Sequence, residues 1–344
     1  MVNTQSSLEL RSRPVGRNAR WTLFLLAMTA ASLLPILFIP AQRHLFPNVQ
    51  AAIYAVALFN ILGAQLHVAA TGWFYTDPTV RTYFWHNRGR YVLAPIAIIV
   101  GTAVVFAAAN AATRSYLLGA YLMWQLWHYQ KQNFGVLSFV CAGTDGAPLS
   151  KWERRTLAAA FLPGALGFLH FFDINLPDRA GEFAQMYHFG VFAYAPVLLC
   201  FAIALWCNDS LRRNPLRLAF FVYGSLFFLP TYLFPDAPSA ITGFALAHGL
   251  QYLVFMTVVS GRTKAPLASL GAFAVISGVG YYLLLGGLAL PNATEWYEHL
   301  FAGAVLGVVM SHFVIDAGLW RMREPFQRSY IGKKFDFVFN RSSR

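Results

Sequence analysis

The chain has 344 residues, of which 57% are hydrophobic, 16% aromatic and only 12% charged. Soluble domains carry about 25% charged residues, so a soluble cytosolic enzyme is excluded, and so is a disordered chain, which would be poor in apolar residues. The net charge of +12 comes from 26 Lys+Arg against 14 Asp+Glu. These basic residues fall at the termini and in short breaks between apolar runs, which is the pattern of an oriented membrane protein and gives no reason to expect nucleic acid as a partner.

Residues 1–20 form a basic segment with Arg11, Arg13, Arg17 and Arg20. The apolar run that begins at Trp21 continues to Pro40 with no small-residue cleavage site, the mark of a retained first span and not of a signal peptide. Apolar runs then predict ten spans, at 21–40, 49–72, 91–112, 115–140, 156–173, 186–207, 218–234, 240–260, 266–290 and 297–320. The third and fourth are divided only by a tight turn near Arg114, and the short fifth and seventh are expected to pack as broken helices. Residues 321–344 form a basic tail with interleaved aromatics, Phe326, Tyr330, Phe335, Phe337 and Phe339, which reads as a segment lying on anionic lipid.

Charge orients these spans. With the N-terminus in the cytoplasm, the cytoplasmic segments hold 22 of the 26 Lys+Arg, and the external loops hold three, Arg43, Arg114 and Arg179. That asymmetry predicts an all-α, polytopic transmembrane bundle of about ten spans with both termini cytoplasmic, in the inner (cytoplasmic) membrane. Cys141, Cys200 and Cys207 show no CxxC spacing, so neither a disulfide framework nor a thiolate metal site is indicated.

Nine histidines in so apolar a chain are the informative feature. His44, His170, His188 and His299 fall near external span ends and read as interfacial residues. His86 falls in the loop 73–90, whose Trp73, Tyr75, Asp77, Tyr83 and Trp85 suggest a lid carrying a fifth ligand. His67, His128, His248 and His312 lie inside spans two, four, eight and ten, which all run in the same direction. Their depths from the cytoplasmic ends are about 5, 12, 12 and 8 residues, roughly 8 to 18 Å at 1.5 Å per residue. A single histidine in a span is usually an interhelical hydrogen-bond contact. Four at similar depth on parallel helices point to a metal site in the bundle core, since neutral imidazole suits iron, zinc and copper.

The neighbours add to this pattern. Gln125, His128 and Gln132 share one helix face, with Lys131 near the interface. Gln251 and Tyr252 follow His248 by three and four residues. Asp316 follows His312 by four, as a ligand or as a group that fixes the imidazole, with Arg321 and Arg323 as its expected cationic partners. Tyr129, Tyr252, Gln132 and Gln251 are the candidates for positioning oxygen or substrate. No HExxH, HxxxH or HxxHH pairing is present. Haem clamped by two of the histidines, or a proton relay in a transporter, remain open alternatives.

The run Ser311-His312-Phe313-Val314-Ile315-Asp316, closing the last span before a basic tail, resembles the bacterial Brp/Blh family of integral membrane β-carotene 15,15'-dioxygenases. The family's Pro-His-Gly opening is missing, and His248 lacks a second histidine one turn later. The resemblance implies a non-haem iron held by histidines, here His67, His128, His248 and His312. With Asp316 and His86 as further ligand candidates, it leads to the expectation of an O2-dependent oxygenase. The substrate would be lipophilic, such as a polyene, isoprenoid or acyl chain, entering from membrane lipid, and a redox partner is conceivable.

Overall fold

A computed structural model of the chain describes residues 17–45, 65–169, 180–234, 237–288 and 295–339, and every regular element among them is helical. Helix α1 is Arg17–Leu45. A short α2, Leu66–Ala70, runs into a 3-10 turn, Thr71–Tyr75, followed by α3, Pro78–His86. A wide turn, Gly89–Leu93, opens α4, Ala94–Ala108, and α5 is Ala111–Thr144. Then come α6, Lys151–Ala159, α7, Phe161–Leu169, α8, Ala180–Phe192, and α9, Tyr194–Cys207. Three short helices follow: α10, Asp209–Arg213, α11, Pro215–Ser225, and α12, Pro230–Leu233. The long α13, Ala237–Gly261, α14, Pro266–Leu288, and α15, Trp296–Leu319, lead to a tail of α16, Pro325–Lys334, and α17, Asp336–Phe339.

The polar breaks start these helices for stated reasons. Asp77 accepts from the Thr79 and Val80 amides and Pro78 opens α3; Asn110 accepts from Thr113 to start α5. Ser150 and Glu153 form a reciprocal capping box on α6, and Asn208 and Asn214 cap α10 and α11. Arg114 turns back to donate to the carbonyls of Phe106 and Ala109, which closes the tight α4–α5 turn on the orphan carbonyls of α4.

Five stretches are long and apolar enough to cross a membrane: Asn18–Leu37, Gly89–Ala108, Ala184–Cys207, Thr242–Gly261 and Trp296–Leu319. They coincide with the first, third, sixth, eighth and tenth expected spans. The fourth falls within α5, whose 34 residues extend for about 51 Å, well beyond the roughly 30 Å hydrocarbon core. The fifth expected span divides at Ala160 into α6 and α7, and the seventh divides around residues 226–229 into α11 and α12. Residues 49–64 of the second span, the N-terminal residues 1–16, and the side chains of His44 and His170 lie outside the described residues.

The tightest helix pairing sets α15 on α4. Gly303 and Gly307, four apart on α15, bring the two backbones together: a Cβ at Gly307 would lie 2.6 Å from Ile99 Cα, and one at Gly303 2.6 Å from the Thr102 carbonyl. Ser311, one turn further, donates to the Pro95 and Gly307 carbonyls. This contact fixes the rotation of α15, and hence the direction of His312.

Two segments differ from expectation. The tail does not lie outward as a lipid-facing segment. Phe335, Phe337 and Val338 are buried in the main core, with Phe335 against Phe24, Phe139 and Phe255. Arg262 grips Asp336 through two nitrogens, Lys334 Nζ donates to the Arg262 carbonyl (2.6 Å), and Tyr330 donates to Asp77 (2.9 Å). Aromatic side chains are better covered by other rings than by headgroups when a partner face is available. The loop 73–90 is likewise no loose lid: Trp73, Phe74 and Phe84 are core residues, locked under the tail by Tyr83 stacking on Phe326.

Candidate metal centre

His67 on α2, His128 on α5, His248 on α13 and His312 on α15 converge in the bundle interior. One nitrogen from each lies within 4.8 Å of all the others. Nitrogens bound to one ion at about 2.1 Å are at most about 4.2 Å apart, so the observed spacing is slightly wider than that of a shared ion. The rings form a closed cycle. His67 stands 4.7 Å from His248 and 4.9 Å from His312, and His128 stands 5.0 Å from each of the same two, centroid to centroid, with planes 72–88° apart. Crossed planes let four rings aim at one point without stacking on each other.

The hydrogen bonding points the same way. His67 Nε2 and His248 Nε2 face each other at 3.2 Å, close to the ~3.4 Å edge of a tetrahedral site with bonds of about 2.1 Å. Three buried ring nitrogens, His128 Nε2, His248 Nδ1 and His312 Nε2, have no hydrogen-bond partner. Buried polar groups are ordinarily paired, and a metal ion is one partner that could meet the His128 and His312 nitrogens left without one.

A polar chain orients His312. Tyr252 donates to Asp316 Oδ1 (2.9 Å), so its oxygen accepts from the Thr71 hydroxyl (2.7 Å), which in turn accepts from His312 Nδ1 (2.6 Å). This directional chain puts the ring proton on Nδ1 and leaves the Nε2 lone pair facing the cluster, the usual role of a partner behind a ligand. Asp316 Oδ2 lies 3.5 Å from His312 Nε2, but Asp316 is not one of the four converging groups. Its polar neighbours are the side chains of Tyr252, His312 and Trp320. Arg321 instead donates to the Ala317 carbonyl and Arg323 pairs with Glu324, since both follow the end of α15 and lie in solvent-exposed turns.

His86 lies apart from the cluster. It is exposed on α3 with Nδ1 against the Thr82 carbonyl at 2.8 Å, one turn back. Gln132 donates to the His248 carbonyl (2.8 Å) and to Gln251 (2.9 Å), and Gln251 donates to Ser32 and Tyr223. These two glutamines thus tie α5, α13 and α1 together behind the cluster. Gln125 donates to Tyr129 (2.5 Å), whose ring lies 4.2 Å from that of His248. Tyr252 stands 5.3 Å from His312, and Phe313 lies 4.4 Å over His128. Lys131 is exposed, its ammonium over Trp127 and Phe134. Thr71 is the orienting residue whose role the sequence does not announce; its signal is its place four residues after His67, on the same helical face.

A second buried polar assembly lies at the far end of α5. Arg217, 1% exposed, donates twice to Glu153 (2.8 and 2.7 Å) and once to Asp145 (2.9 Å). Asn208 also donates to Glu153, and Ser210 to Asp145. Burial pushes the Asp145 carboxyl up, but Ser210, the Ala147 amide and Arg217 outweigh it and hold it below the usual carboxylate range. No family model, curated protein or solved structure matches this chain, so the functional reading is carried by the residues themselves.

Proposed function

We propose that the protein is an integral membrane non-haem iron oxygenase acting with O2 on a lipophilic substrate, a polyene, isoprenoid or acyl chain. Its ligand set is His67, His128, His248 and His312. The observation that carries this reading is the convergence of four buried imidazole nitrogens within 4.8 Å, two of them unpartnered Nε2 atoms. Iron held by neutral imidazoles supplies redox chemistry with O2 while leaving coordination positions open. The resemblance of Ser311–Asp316 to the Brp/Blh family agrees with the metal and with an apolar substrate.

The chain's own residues would divide the work. Thr71, Tyr252 and Asp316 hold His312 in one tautomer and one orientation. Gln132 and Gln251 fix the register of α5 against α13, and Tyr129 and Phe313 cover His248 and His128 against water. Haem fits less well. Each ring has two crossed neighbours about 5 Å away, where a macrocycle clamped by any two of them would have to lie. We read the topology as ten spans with both termini cytoplasmic. The charge asymmetry supports this, with α6–α7 and α11–α12 as spans made of two half-length helices.

The test is elemental analysis and a visible spectrum of the detergent-purified protein. One iron per chain without a Soret band is expected, and the double variant His128→Ala/His312→Ala should carry none. Full metal content in that variant would overturn the ligand set. A Soret band would restore haem, and a metal-free protein with pH-dependent flux would restore the proton relay. O2 consumption with a soluble polyene then reports the activity.

A further inference from the structure

Helices α1 and α13 pack side by side, and their outward faces leave an elongated groove of about 1030 Å³. The helices run in opposite directions. Arg20, near the start of α1, and Arg262, just past the end of α13, share one mouth with Phe337, which lies 5.8 Å from the Phe24 ring and under the Arg262 guanidinium. Small residues of α1, Ala27, Ala30 and Ala31, line the groove, with Leu23, Leu34 and Val254 beside them. From Arg20 to Leu37 it extends for about 26 Å, longer than one leaflet of a hydrocarbon core roughly 30 Å thick. The groove is on the side of α13 opposite His248 and Tyr252, so it is separate from the metal centre.

The charge at the mouth is unbalanced. Asp336 is the carboxylate there, and Arg262 already takes both of its oxygens. Burial pushes the Asp336 carboxyl up, yet Arg262, with a smaller push from Arg20, keeps it below the usual range, so two guanidiniums share one negative charge. Lys334, bonded to the Arg262 carbonyl, is a third cation, but Asp77, which also accepts from Tyr330, favours its charge, so the surplus at the mouth is one positive charge, carried by Arg20. Arg20 Nε is buried with no hydrogen-bond partner. An unsatisfied guanidinium N–H at the head of an apolar groove is costly unless an anion meets it.

We propose that this groove holds one anionic glycerophospholipid, with an acyl chain along α1 and α13 and its phosphate at Arg20. The apolar walls give the chain more buried contact than bulk lipid does, and the surplus positive charge selects the headgroup. The proposal is independent of the metal reading.

Native mass spectrometry of the full chain in detergent, titrated with phosphatidylglycerol or phosphatidylcholine, tests it. One saturable phosphatidylglycerol adduct is expected, held about five- to tenfold more tightly than phosphatidylcholine. Arg20→Gln should erase that preference. Ala30→Phe, which fills the groove and keeps every cation, should lower binding of both lipids, and it decides the matter if Arg20→Gln does not fold. Equal retention of the two lipids by the unaltered chain, or adducts unchanged in Ala30→Phe, would overturn the proposal. So would displacement of the lipid by inorganic phosphate alone, which would assign the mouth to a free anion.

Discussion

The Arg217 knot and the four-histidine cluster are both buried polar assemblies in an apolar bundle, and α5 reaches both. In the knot, the guanidinium is met by Glu153, Asp145 and the Pro148 carbonyl; Asn208 and Ser210 donate to the carboxylate oxygens Glu153 Oε2 and Asp145 Oδ2 that Arg217 also holds, and the Ala147 amide meets Asp145 Oδ1. It is closed: one guanidinium and several neutral donors meet both carboxylates inside the protein. In the cluster, four donor atoms of one kind face each other and three ring nitrogens are left over. It is open: these nitrogens find no partner within the protein, and the proposed metal would be that partner. Burial alone therefore does not mark a functional site; unsatisfied burial does.

Breaking the closed assembly should cost fold and not metal. Arg217→Met leaves Glu153 buried and uncompensated and is expected to lower stability by about 3–5 kcal/mol, read by thermal unfolding in detergent, with metal per folded chain unchanged. The open assembly should behave in the reverse manner. His248→Leu, which removes the ring nitrogens and keeps most of the buried volume, should leave the melting of the metal-free protein nearly unchanged and weaken metal binding by more than about 100-fold, beyond the ~10–100-fold typical of residues behind a ligand. Equal effects of the two substitutions on both readouts would erase the distinction.

Smaller changes sharpen it. Gly307→Ala sets a methyl against Ile99 and should cost about 1–3 kcal/mol while also lowering metal affinity, because α15 carries His312. Thr71→Val removes the acceptor of His312 Nδ1 and should weaken metal binding by about tenfold and, by leaving that buried N–H unpaired, lower stability by about 1–3 kcal/mol, with Thr71→Ser restoring both. The gentlest probe is acid. Asp145 and Asp336 are both held below the usual carboxylate range, so the stability they contribute is complete above about pH 4 and is lost as pH falls through their lower folded values. Unfolding followed between pH 5 and 2 should show that loss in the unaltered chain and less of it in Arg217→Met.

The open assembly was legible in the sequence because an ionisable residue in an apolar run is rare, and four on parallel spans are rarer still. Hydropathy reads composition along the chain and cannot see where a helix breaks. The runs 156–173 and 218–234 each divide into two short helices around Ala160 and residues 226–229. The packing of the tail is hidden for a related reason: Phe335 and Phe337 among lysines and arginines suit a lipid surface and a protein groove equally, and only the facing rings of Phe24, Phe139 and Phe255 show that these two are buried. Gly303 and Gly307 carry a readable small-residue spacing, but their partner on α4 cannot be read from α15 alone.

The four converging histidines are spread from residue 67 to residue 312, and this spacing sets a timetable for biogenesis. Chains emerge at roughly 5–20 residues per second, so several seconds separate the membrane entry of His248 from that of His312. Until α15 docks on α4, a nascent chain offers three ligands and no chain of Thr71, Tyr252 and Asp316 to orient the fourth. Under the proposed ligand set, metal capture would be the last event of assembly, and a ribosome stalled before Trp296 would leave in the membrane a bundle lacking its fourth histidine.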